Sequence, residues 1–405
     1  MRLQRFLQRV IREGDLTVRL PGGQALKLGD GSGPPVAARI ASRRWMMRIA
    51  TDPSMALGEA YMDGGLVMEA GSIGDLVDLI GRNARHRPVR RSGPLMRWWQ
   101  DRLRLANARG QARRNVAHHY DLSVEFYRRF LDPDLQYSCA YFPEPGASLE
   151  AAQTAKKRHL AAKLLLEPGQ KLLDIGCGWG GLGLSLAKAA DVEVHGITLS
   201  TEQLALAQAR ADAAGLAGRA RFSLTDYRDV DGPYDRIVSV GMFEHVGRLN
   251  YQAYFDQVAR LLKDDGVAVI HSIGRSDGPD APQPWVAKYI FPGGYIPALS
   301  EVLPCVERAG LFVTDVEILR LHYAWTLQAW RKRFAAQRAE IARLYDERFC
   351  RMWEFYLAIS ELAFRHRGHM VFQLQLAKRV DAVPVTRDYI GQAEADLAKQ
   401  VRQVA

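Results

Sequence analysis

The stretch that decides the fold is KLLDIGCGWGG, residues 171–181. Its first five residues are typical of a buried strand, and they run directly into glycines at positions 176, 178 and 180. Glycine permits a tight turn and lets the backbone approach a ligand closely. An apolar, helix-forming segment follows to residue 190. The stretch therefore predicts a strand, a ligand-binding turn and a helix, the first unit of a parallel α/β sheet.

The same alternation continues on the C-terminal side. Further strands are predicted at 193–199, 220–226, 234–242, 266–273, 312–319 and 370–378, with helices at 201–215, 251–262 and between 325 and 364. This order predicts a doubly wound, mostly parallel sheet, the Rossmann-like arrangement of an α/β protein. A loop rich in Pro and Gly at 274–297 carries four aromatic residues, and its length suggests a lid or channel wall.

The N-terminal side has a different pattern, which predicts a small α+β unit over residues 1–85. LTVRL and ALKLG flank a Pro-Gly-Gly turn and predict a hairpin. An apolar stripe of Leu3, Phe6, Leu7, Val10 and Ile11 marks a basic amphipathic helix, which either packs on its own unit or lies in a membrane interface. We divide the chain into this unit (1–85), a basic Arg-rich linker and helix (86–115) and a catalytic domain (116–405).

The positive charge is confined to the first third of the chain. The 405 residues carry a net charge of +10, and residues 1–114 hold 21 Lys and Arg against 10 Asp and Glu. Between Arg82 and Arg114, eleven arginines face the single acid Asp101. An anionic partner is implied, which is either nucleic acid or a phospholipid surface.

Composition excludes several classes of protein. The four cysteines lie far apart without a C-x-x-C pair, so neither a zinc ribbon nor a disulfide framework is supported, and a reducing cytoplasm is expected. His118 and His119 lack a third ligand at suitable spacing, so no metal site is predicted. No apolar run approaches the roughly 18 to 20 residues that a membrane-spanning helix needs.

The glycine turn favours S-adenosylmethionine over a dinucleotide. A dinucleotide fingerprint reads G-x-G-x-x-G, whereas here the third glycine comes one residue early. Asp174, two residues before the first glycine, places negative charge where a sulfonium or amino group fits better than a phosphate. Thr198 and Gln203 supply hydroxyl and amide groups after the second strand. After the third strand, Asp226 and Tyr227 offer an acceptor and a ring to adenine.

Polar motifs stand at the other strand ends, where open α/β sheets bind ligands. They are FEHVG (243–247) and HSIG (271–274), with YSCAYF (137–142) upstream and HYAWTLQAW (322–330) downstream. Together with LDIGCGWGG and GITLS, in this order, they resemble the cyclopropane fatty acid synthases. The resemblance runs from about residue 118 to the C-terminus, and the small N-terminal unit resembles the bacterial, phospholipid-acting branch.

The resemblance implies a function and a set of site residues. The enzyme would transfer a methylene from S-adenosylmethionine to a cis double bond of a phospholipid acyl chain, with a bound bicarbonate ion as the base. The bicarbonate ligands map onto Cys139 (backbone N–H), Glu244, His271, Ile273 (backbone) and Tyr323. The cofactor contacts map onto Tyr137, Ser138, Gly176, Gly178, Thr198, Leu199 and Gln203, joined by the Asp174, Asp226 and Tyr227 of the preceding argument.

Other interpretations stay open. Cys139 could be a small buried residue, Glu244 a helix cap, His271 a core histidine and Tyr323 an ordinary aromatic, while His245 is interpreted as structural. The same core could make methyl-branched or methylene lipids, or methylate small-molecule amines. Nucleic-acid binding is disfavoured because the Arg-rich stretch contains no recognised binding module. The expected setting is the inner face of the membrane, where a peripheral enzyme docks on anionic lipid, and a homodimer is left open.

Overall fold

The computed structural model describes residues 7–84 except Arg9, and residues 122–404, of which the last five are described by backbone alone. Leu3 and Phe6 of the predicted amphipathic helix, the basic segment 86–115 and the pair His118 and His119 lie outside the described residues. In the described ranges, no helix is long and apolar enough to cross a membrane.

A four-stranded sheet forms the N-terminal unit. Its strands are β1 (Asp15–Arg19), β2 (Ala25–Leu28), β3 (Pro35–Ile40) and β4 (Leu66–Ala70), in the order β2-β1-β3-β4. β1 and β2 form the predicted hairpin. β1 pairs with β3 in parallel and β3 with β4 antiparallel, and neither β3 nor β4 was predicted. Helices α1 (Arg43–Thr51), α2 (Pro53–Met62) and α3 (Ile73–Ala84) complete the unit.

A seven-stranded sheet forms the larger part. Its strands are β5 (Lys171–Ile175), β6 (Glu193–Thr198), β7 (Ala220–Leu224), β8 (Tyr234–Val240), β9 (Leu262–Arg275), β10 (Phe312–Leu319) and β11 (His369–Ala377). They lie in the order β10-β11-β9-β8-β5-β6-β7. β11 alone runs antiparallel to both of its neighbours in this sheet. All seven predicted strands are present, so the prediction of a mostly parallel Rossmann-like sheet is confirmed.

Helices cover the sheet and extend beyond it. They are α4 (Val124–Arg128), α5 (Leu149–Leu164), α6 (Gly181–Ala190), α7 (Thr201–Ala213), α8 (Tyr251–Leu261), α9 (Pro284–Tyr289), α10 (Leu299–Arg308), α11 (His322–Ala336), α12 (Arg338–Leu344), α13 (Glu347–His366) and α14 (Asp388–Val404). β5, β8 and β9 are apolar on both faces because two hydrophobic clusters enclose the sheet. Helices α4, α5, α9, α10 and α14 were not predicted.

The N-terminal unit shares a hydrophobic core with helices α11 and α13. The described part of the amphipathic helix faces this core, since Ile11 is buried and Leu7 and Val10 pack against it. Polar contacts also join the two parts, including a hydrogen bond of 2.8 Å from the Tyr61 hydroxyl to Glu354. This packing favours the first of the two interpretations of that helix for Leu7, Val10 and Ile11.

The segment 274–297 is more ordered than its composition suggested. It contains α9, whose Trp285 is fully buried. The Trp285 ring packs edge-on against Phe355 of α13 at a centroid distance of 4.8 Å, and it leaves no room beside Gly58 of α2. Trp285 therefore anchors the N-terminal unit, which corrects the suggestion that the whole segment is a loop. Pro292 and Gly293 of the same segment do line a cavity.

Candidate active site

Gly176 and Gly178 shape the turn that follows β5. Gly176 has a φ of +83°, and a Cβ there would lie 2.8 Å from the Met242 side chain. Gly178 has a φ of +54°, and a Cβ there would point into open space. Both residues line the cavity, so a ligand can lie directly against the backbone of the turn.

This cavity has a volume of about 160 Å³ and lies at the carboxyl ends of β5, β6 and β8. Loop residues 135–138 and the pair Pro292 and Gly293 close it from the other side. All ten predicted cofactor residues line it, namely Tyr137, Ser138, Asp174, Gly176, Gly178, Thr198, Leu199, Gln203, Asp226 and Tyr227. Residues from four separate stretches of sequence thus meet at one site.

Asp174 is the buried acid of the cavity. It is 1% exposed, and its Oδ2 atom has no hydrogen-bond partner among the described residues. Desolvation by burial raises its pKa to about 7, although the positive charge of Lys156 acts in the opposite direction. An unpaired carboxyl of this kind can accept hydrogen bonds from a cationic ligand.

The polar groups after β6 form a hydrogen bond among themselves, and so do those after β7. The Thr198 hydroxyl donates to Gln203 Oε1 at 2.8 Å. Asp226 accepts two bonds from the Arg228 guanidinium, at 2.8 and 2.6 Å. The Arg228 backbone N–H also donates to Asp226 Oδ1 at 3.1 Å, so this carboxylate is held in a fixed orientation at the cavity wall. Arg228 also lines the cavity, which the sequence did not predict.

Glu244 lies in a short 3-10 helix after β8 and is held by β9. Its Oε1 atom accepts a hydrogen bond of 2.6 Å from the Ile273 backbone N–H. Its Oε2 atom is buried and has no hydrogen-bond partner among the described residues. Burial raises the pKa of Glu244 to about 7. The Ile273 N–H that was predicted to hold bicarbonate thus holds the Glu244 carboxyl in this structure.

His271 lies on β9 directly opposite Gln373 of β11. The Gln373 amide nitrogen lies 3.1 Å from His271 Nδ1 and donates to it, so the neutral ring carries its proton on Nε2. Nε2 is buried and has no partner among the described residues. Burial lowers the pKa of His271 well below its usual value, which keeps the imidazole neutral.

Cys139 lies in the segment 137–142 and Tyr323 in helix α11, and hydrogen bonds join this segment to the helix. The Cys139 thiol is buried, which raises its pKa, and it donates to the Ala140 carbonyl. The next amide, that of Ala140, donates to Thr326 Oγ1 of α11 at 3.0 Å. Tyr323, one turn before Thr326, packs against Phe364 at a centroid distance of 4.8 Å. None of the five predicted catalytic residues lines the described cavity; they lie next to it.

Sequence reasoning missed several residues of the site. His245 lines the cavity, and its burial lowers the pKa to about 4, so the ring is neutral there. Gln153 and Lys156 of α5 are buried behind the segment 136–138 and bond to it. Polar residues that recur at helical spacing among alanines and leucines, at positions 153, 156, 159 and 163, were the signal that could have found them.

The described residues contain no group of three or more His, Cys, Asp or Glu side chains that could hold a metal ion. The polar groups near the cavity are instead spread over strand ends and the 135–138 loop. This arrangement suits an organic ligand with several distinct polar groups.

Comparison with known proteins shows the family to which this chain belongs. The model of the family described as mycolic acid cyclopropane synthetase matches residues 107–374. A second model, of a domain of unknown function, matches residues 3–87. The chain is 38% identical over 354 residues to the cyclopropane-fatty-acyl-phospholipid synthase of Escherichia coli K12, which covers 86% of this chain and 89% of the relative.

Two further proteins show the same relationship. A probable fatty acid methyltransferase of Pseudomonas putida is 39% identical over 361 residues, covering 84% of this chain and 88% of that protein. The crystal structure of mycolic acid cyclopropane synthase CmaA1 complexed with SAH and CTAB superposes with a TM-score of 0.62 at 36% identity, covering 65% of this chain and 97% of that one. The chain therefore belongs to the mycolic acid cyclopropane synthetase family, on the fold of the class I S-adenosylmethionine-dependent methyltransferases.

Proposed function

We propose that this protein is a cyclopropane-fatty-acyl-phospholipid synthase, which transfers a methylene group from S-adenosylmethionine to a cis double bond of a phospholipid acyl chain. The observation that carries the proposal is a pair of buried polar atoms, Glu244 Oε2 and His271 Nε2, which have no hydrogen-bond partner among the described residues and lie beside a cavity that fits the cofactor. The similarity to the Escherichia coli synthase over most of both chains supports the same activity.

The residues of the cavity fit S-adenosylmethionine. The glycine turn leaves room for a ligand against the backbone, and Asp174 supplies an acceptor for a cationic group. Tyr137 and Ser138 form the opposite wall, and Thr198 and Gln203 supply a hydroxyl and an amide. When bound, the cofactor supplies an electrophilic methyl group that even an alkene, a weak nucleophile, can attack.

The residues next to the cavity have to remove a proton and exclude water. After methyl transfer the acyl chain is cationic, and a proton must leave the transferred carbon before the ring closes. We propose that Cys139 (N–H), Glu244, His271 and Tyr323 would surround a bicarbonate ion, which when bound would supply the base. The Ile273 N–H, which was predicted to contact the ion, would instead hold the Glu244 carboxyl in place. The two unpartnered atoms, Glu244 Oε2 and His271 Nε2, fit a small oxyanion that accepts and donates hydrogen bonds.

Burial of this group protects the cationic chain from water. Cys139, His271, Tyr323 and Glu244 are all buried, and Phe364 and Trp330 pack against Tyr323. Water at this position would add to the cation and give an alcohol in place of the ring. The apolar surroundings therefore support ring closure over hydration.

We also propose that the protein docks on an anionic membrane surface through its basic N-terminal third. Helix α1 has no buried residue, and it exposes Arg43 and Arg44 together with Met47, which is 59% exposed. Basic and apolar groups on one exposed helix suit anionic headgroups above an acyl layer. This proposal includes the division of the chain into units 1–85, 86–115 and 116–405. It also includes a peripheral position at the inner membrane face and the formation of a homodimer.

Vesicle sedimentation tests the docking. Vesicles containing phosphatidylglycerol should bind the protein at low salt and release it at high salt, whereas neutral vesicles and duplex DNA should bind weakly. Tight binding to DNA but not to vesicles would contradict the membrane assignment and support the nucleic-acid alternative. Sedimentation velocity in the same buffer shows whether the protein is a homodimer.

One observation favours a second candidate function, the formation of methyl-branched or methylene lipids. The Ile273 N–H donates to Glu244, so in this structure it is not directed to a separate bicarbonate ion. A relative of similar identity is a probable fatty acid methyltransferase. If Glu244 itself removes the proton from the carbon that received the methyl group, the product is a methyl-branched alkene. A 1,2-hydride shift followed by loss of a methyl proton gives the methylene instead.

Proton NMR of the lipid product separates the two functions. The purified protein is incubated with S-adenosylmethionine and vesicles of a monounsaturated phospholipid, and the lipid is then extracted. Strongly upfield ring protons are expected for the cyclopropane. Olefinic methylene or branched methyl signals would overturn ring closure and keep methyl transfer, and unchanged lipid would overturn the lipid substrate.

A further inference from the structure

Two buried glutamines interrupt the apolar strand β11. Gln373 is 0% and Gln375 is 1% exposed, and the other residues at positions 370–377 are apolar. A primary amide brings two donors and one acceptor into the interior, and each group that lacks a partner there opposes folding. The hydrogen bonds of the two side chains therefore show what each glutamine contributes.

Gln375 joins secondary-structure elements. Its amide nitrogen donates to the Lys163 carbonyl of α5 at 2.5 Å and to the Tyr389 hydroxyl of α14 at 2.6 Å. Its Oε1 atom accepts from the Thr314 hydroxyl of β10 at 2.9 Å. All three groups of this amide are paired, so contacts between elements explain why Gln375 is buried.

Gln373 differs, because its side chain bonds to a residue of the active site. Among the described residues, this side chain forms one hydrogen bond, from the amide nitrogen to His271 Nδ1 at 3.1 Å, and its Oε1 atom has no partner. The two residues lie directly opposite each other in the pairing of β9 with β11, so the strand register sets the contact. Gln373 is therefore buried for its bond to the histidine ring.

This bond selects one tautomer of His271. Burial lowers the pKa of His271 well below its usual value, so the ring is neutral and holds one proton. The nitrogen of an amide can only donate, so Nδ1 accepts and the proton lies on Nε2. Nε2 is buried and has no partner among the described residues. The ring thus presents a hydrogen-bond donor on the side away from Gln373.

The charges around the ring also keep it neutral. Positive charges on α5 lower the pKa of His271 further, and one carboxylate on β10 acts against them; these groups are Lys156, Lys163 and His159 on α5 and Glu317 on β10. The nearest acid of the site, Glu244, has a pKa of about 7 and lies on the other side of β9 from the strand β11 pairing, after β8. The tautomer, and not the charge, is therefore what Gln373 controls.

We propose that Gln373 is a positioning residue, which holds the His271 ring in the tautomer protonated on Nε2 so that the ring donates to the anionic base of the reaction. In the opposite tautomer a lone pair on Nε2 would face the anion and repel it. The inference rests on the proposed function, because it takes His271 as a ligand of the bicarbonate ion. It adds a residue of β11 to the site.

Gln373→Glu tests the assignment, because a carboxyl group changes its hydrogen-bond role when it ionises. The protonated carboxyl can donate to Nδ1 as the amide does, whereas the carboxylate can only accept and would draw the ring proton to Nδ1. The positive charges on α5 that act on the ring also favour ionisation of a carboxyl beside it. Nε2 should therefore be protonated at low pH and unprotonated at high pH in this variant, and protonated throughout in the wild type.

Nitrogen-15 NMR of histidine-labelled protein, without cofactor or lipid, measures the protonation of both ring nitrogens from about pH 6 to about pH 9. A sample of His271→Asn identifies the signals of His271 among those of the ten histidines. Gln375→Glu is the matched control, since it buries a carboxyl on the same strand and the same face without a bond to His271. In this control, Nε2 of His271 should stay protonated at every pH.

Turnover gives a second readout. Gln373→Glu should match the wild type within about threefold near the acidic end of this range and fall about tenfold or more below it near the alkaline end. The ratio of Gln375→Glu to wild type should not change with pH. A purely structural role of Gln373 would lower turnover by the same factor at every pH.

A wild-type ring protonated on Nδ1, or a ring in Gln373→Glu whose protonation does not change with pH, would overturn the proposal. If Gln373→Glu does not fold, as judged by its thermal transition, Gln373→Met is measured instead. It removes the donor, so signals of both tautomers should appear, and a ring protonated entirely on Nε2 would overturn the assignment. A wild type that makes no cyclopropane would contradict the proposed function and leave the tautomer result intact, because the NMR samples contain no substrate.

Discussion

At the scale of one residue, Glu244 is a functional group whose burial opposes folding stability. Its carboxyl is buried against β9, and its pKa is raised to about 7 from an ordinary value of 4.5. The unfolded chain loses this proton near pH 4.5, whereas the folded chain keeps it to about pH 7. The contribution of Glu244 to stability therefore falls as the pH rises through this window, by about 3 kcal/mol at about 1.4 kcal/mol per pKa unit.

Glu244→Gln should stabilise the protein and stop turnover. The amide keeps the size of the side chain and the acceptor for Ile273 N–H, but it cannot ionise. We expect a higher free energy of unfolding than wild type at pH 8, by about 1 to 3 kcal/mol, and a smaller difference at pH 4.5. Turnover should fall at least a hundredfold.

Urea unfolding at both pH values and cyclopropane formation measure the two effects, and calorimetry with S-adenosylmethionine checks that cofactor affinity stays within twofold. A variant that retains full activity would refute the role of Glu244 in proton transfer.

Gly178 is the residue whose substitution tests the cofactor cavity. Gly178→Val should abolish S-adenosylmethionine binding, because its side chain would point into the cavity from the wall. Gly215→Val is the matched control: Gly215 also has a positive φ (+66°) and open space at its Cβ position, but it does not line the cavity. Both variants carry similar backbone strain, so equal affinity in the two variants would contradict the placement of the cofactor.

At the scale of elements, a charged cluster around His159 attaches helix α14 to helix α5 and strand β10. His159 of α5 lies 2.6 Å from Glu317 of β10 and 2.7 Å from Glu394 of α14. Its ring also stacks on Tyr141 at a centroid distance of 4.3 Å. These carboxylates raise the pKa of His159 although burial acts against them. The imidazolium thus joins three elements.

The attachment of α14 should weaken at alkaline pH. A raised pKa in the folded state means that the stability from His159 is fully present below about pH 6.5 and is lost as the pH rises through the folded value. Hydrogen exchange, corrected for its intrinsic pH dependence, should show falling protection of residues 388–399 relative to α6. Glu394→Gln should reduce this pH dependence. Protection that is constant from pH 6 to pH 9 would argue against the imidazolium bridge.

At the scale of the whole molecule, close packing at α2 joins the N-terminal unit to the part that contains the seven-stranded sheet. A Cβ on Gly58 would lie 2.5 Å from Trp285 Nε1 and 2.6 Å from Phe355 Cε1, so a larger residue must separate α2 from α9 and α13. The buried Glu59 next to it bonds to Lys288 and Tyr289, at 2.7 and 2.8 Å. This contact connects the exposed basic helix α1 to the part that carries the active site.

Gly58→Val should destabilise this junction by about 1 to 3 kcal/mol, the usual effect of overpacking. We expect a lower thermal transition and faster proteolysis between the two parts. Gly218→Val serves as the control, because no atom lies within 4 Å of its Cβ position. If the two variants melt at the same temperature, the Gly58 contact does not hold the parts together.

The sequence by itself determined the seven strands of the large sheet and the glycine turn, because each is encoded in a short run of residues. It also determined the ten cofactor candidates: most of them lie at strand ends, and the YS pair and Gln203 of α7 join them at one edge of the sheet. Tertiary structure alone decided the contacts between distant stretches. Trp285 fills the space beside Gly58, and the Ile273 N–H is taken by Glu244.

The same reason explains why Lys156 was missed. Its hydrogen-bond partners Gln136 and Ser138 lie 20 and 18 residues earlier in the chain, so these contacts appear only when helix α5 packs against that segment. Local pattern fixes which residues form an element, since propensity and periodicity act over a few residues. Burial of a polar atom with no hydrogen-bond partner among the described residues depends on the whole fold, and this property distinguishes Asp174, Glu244 and His271.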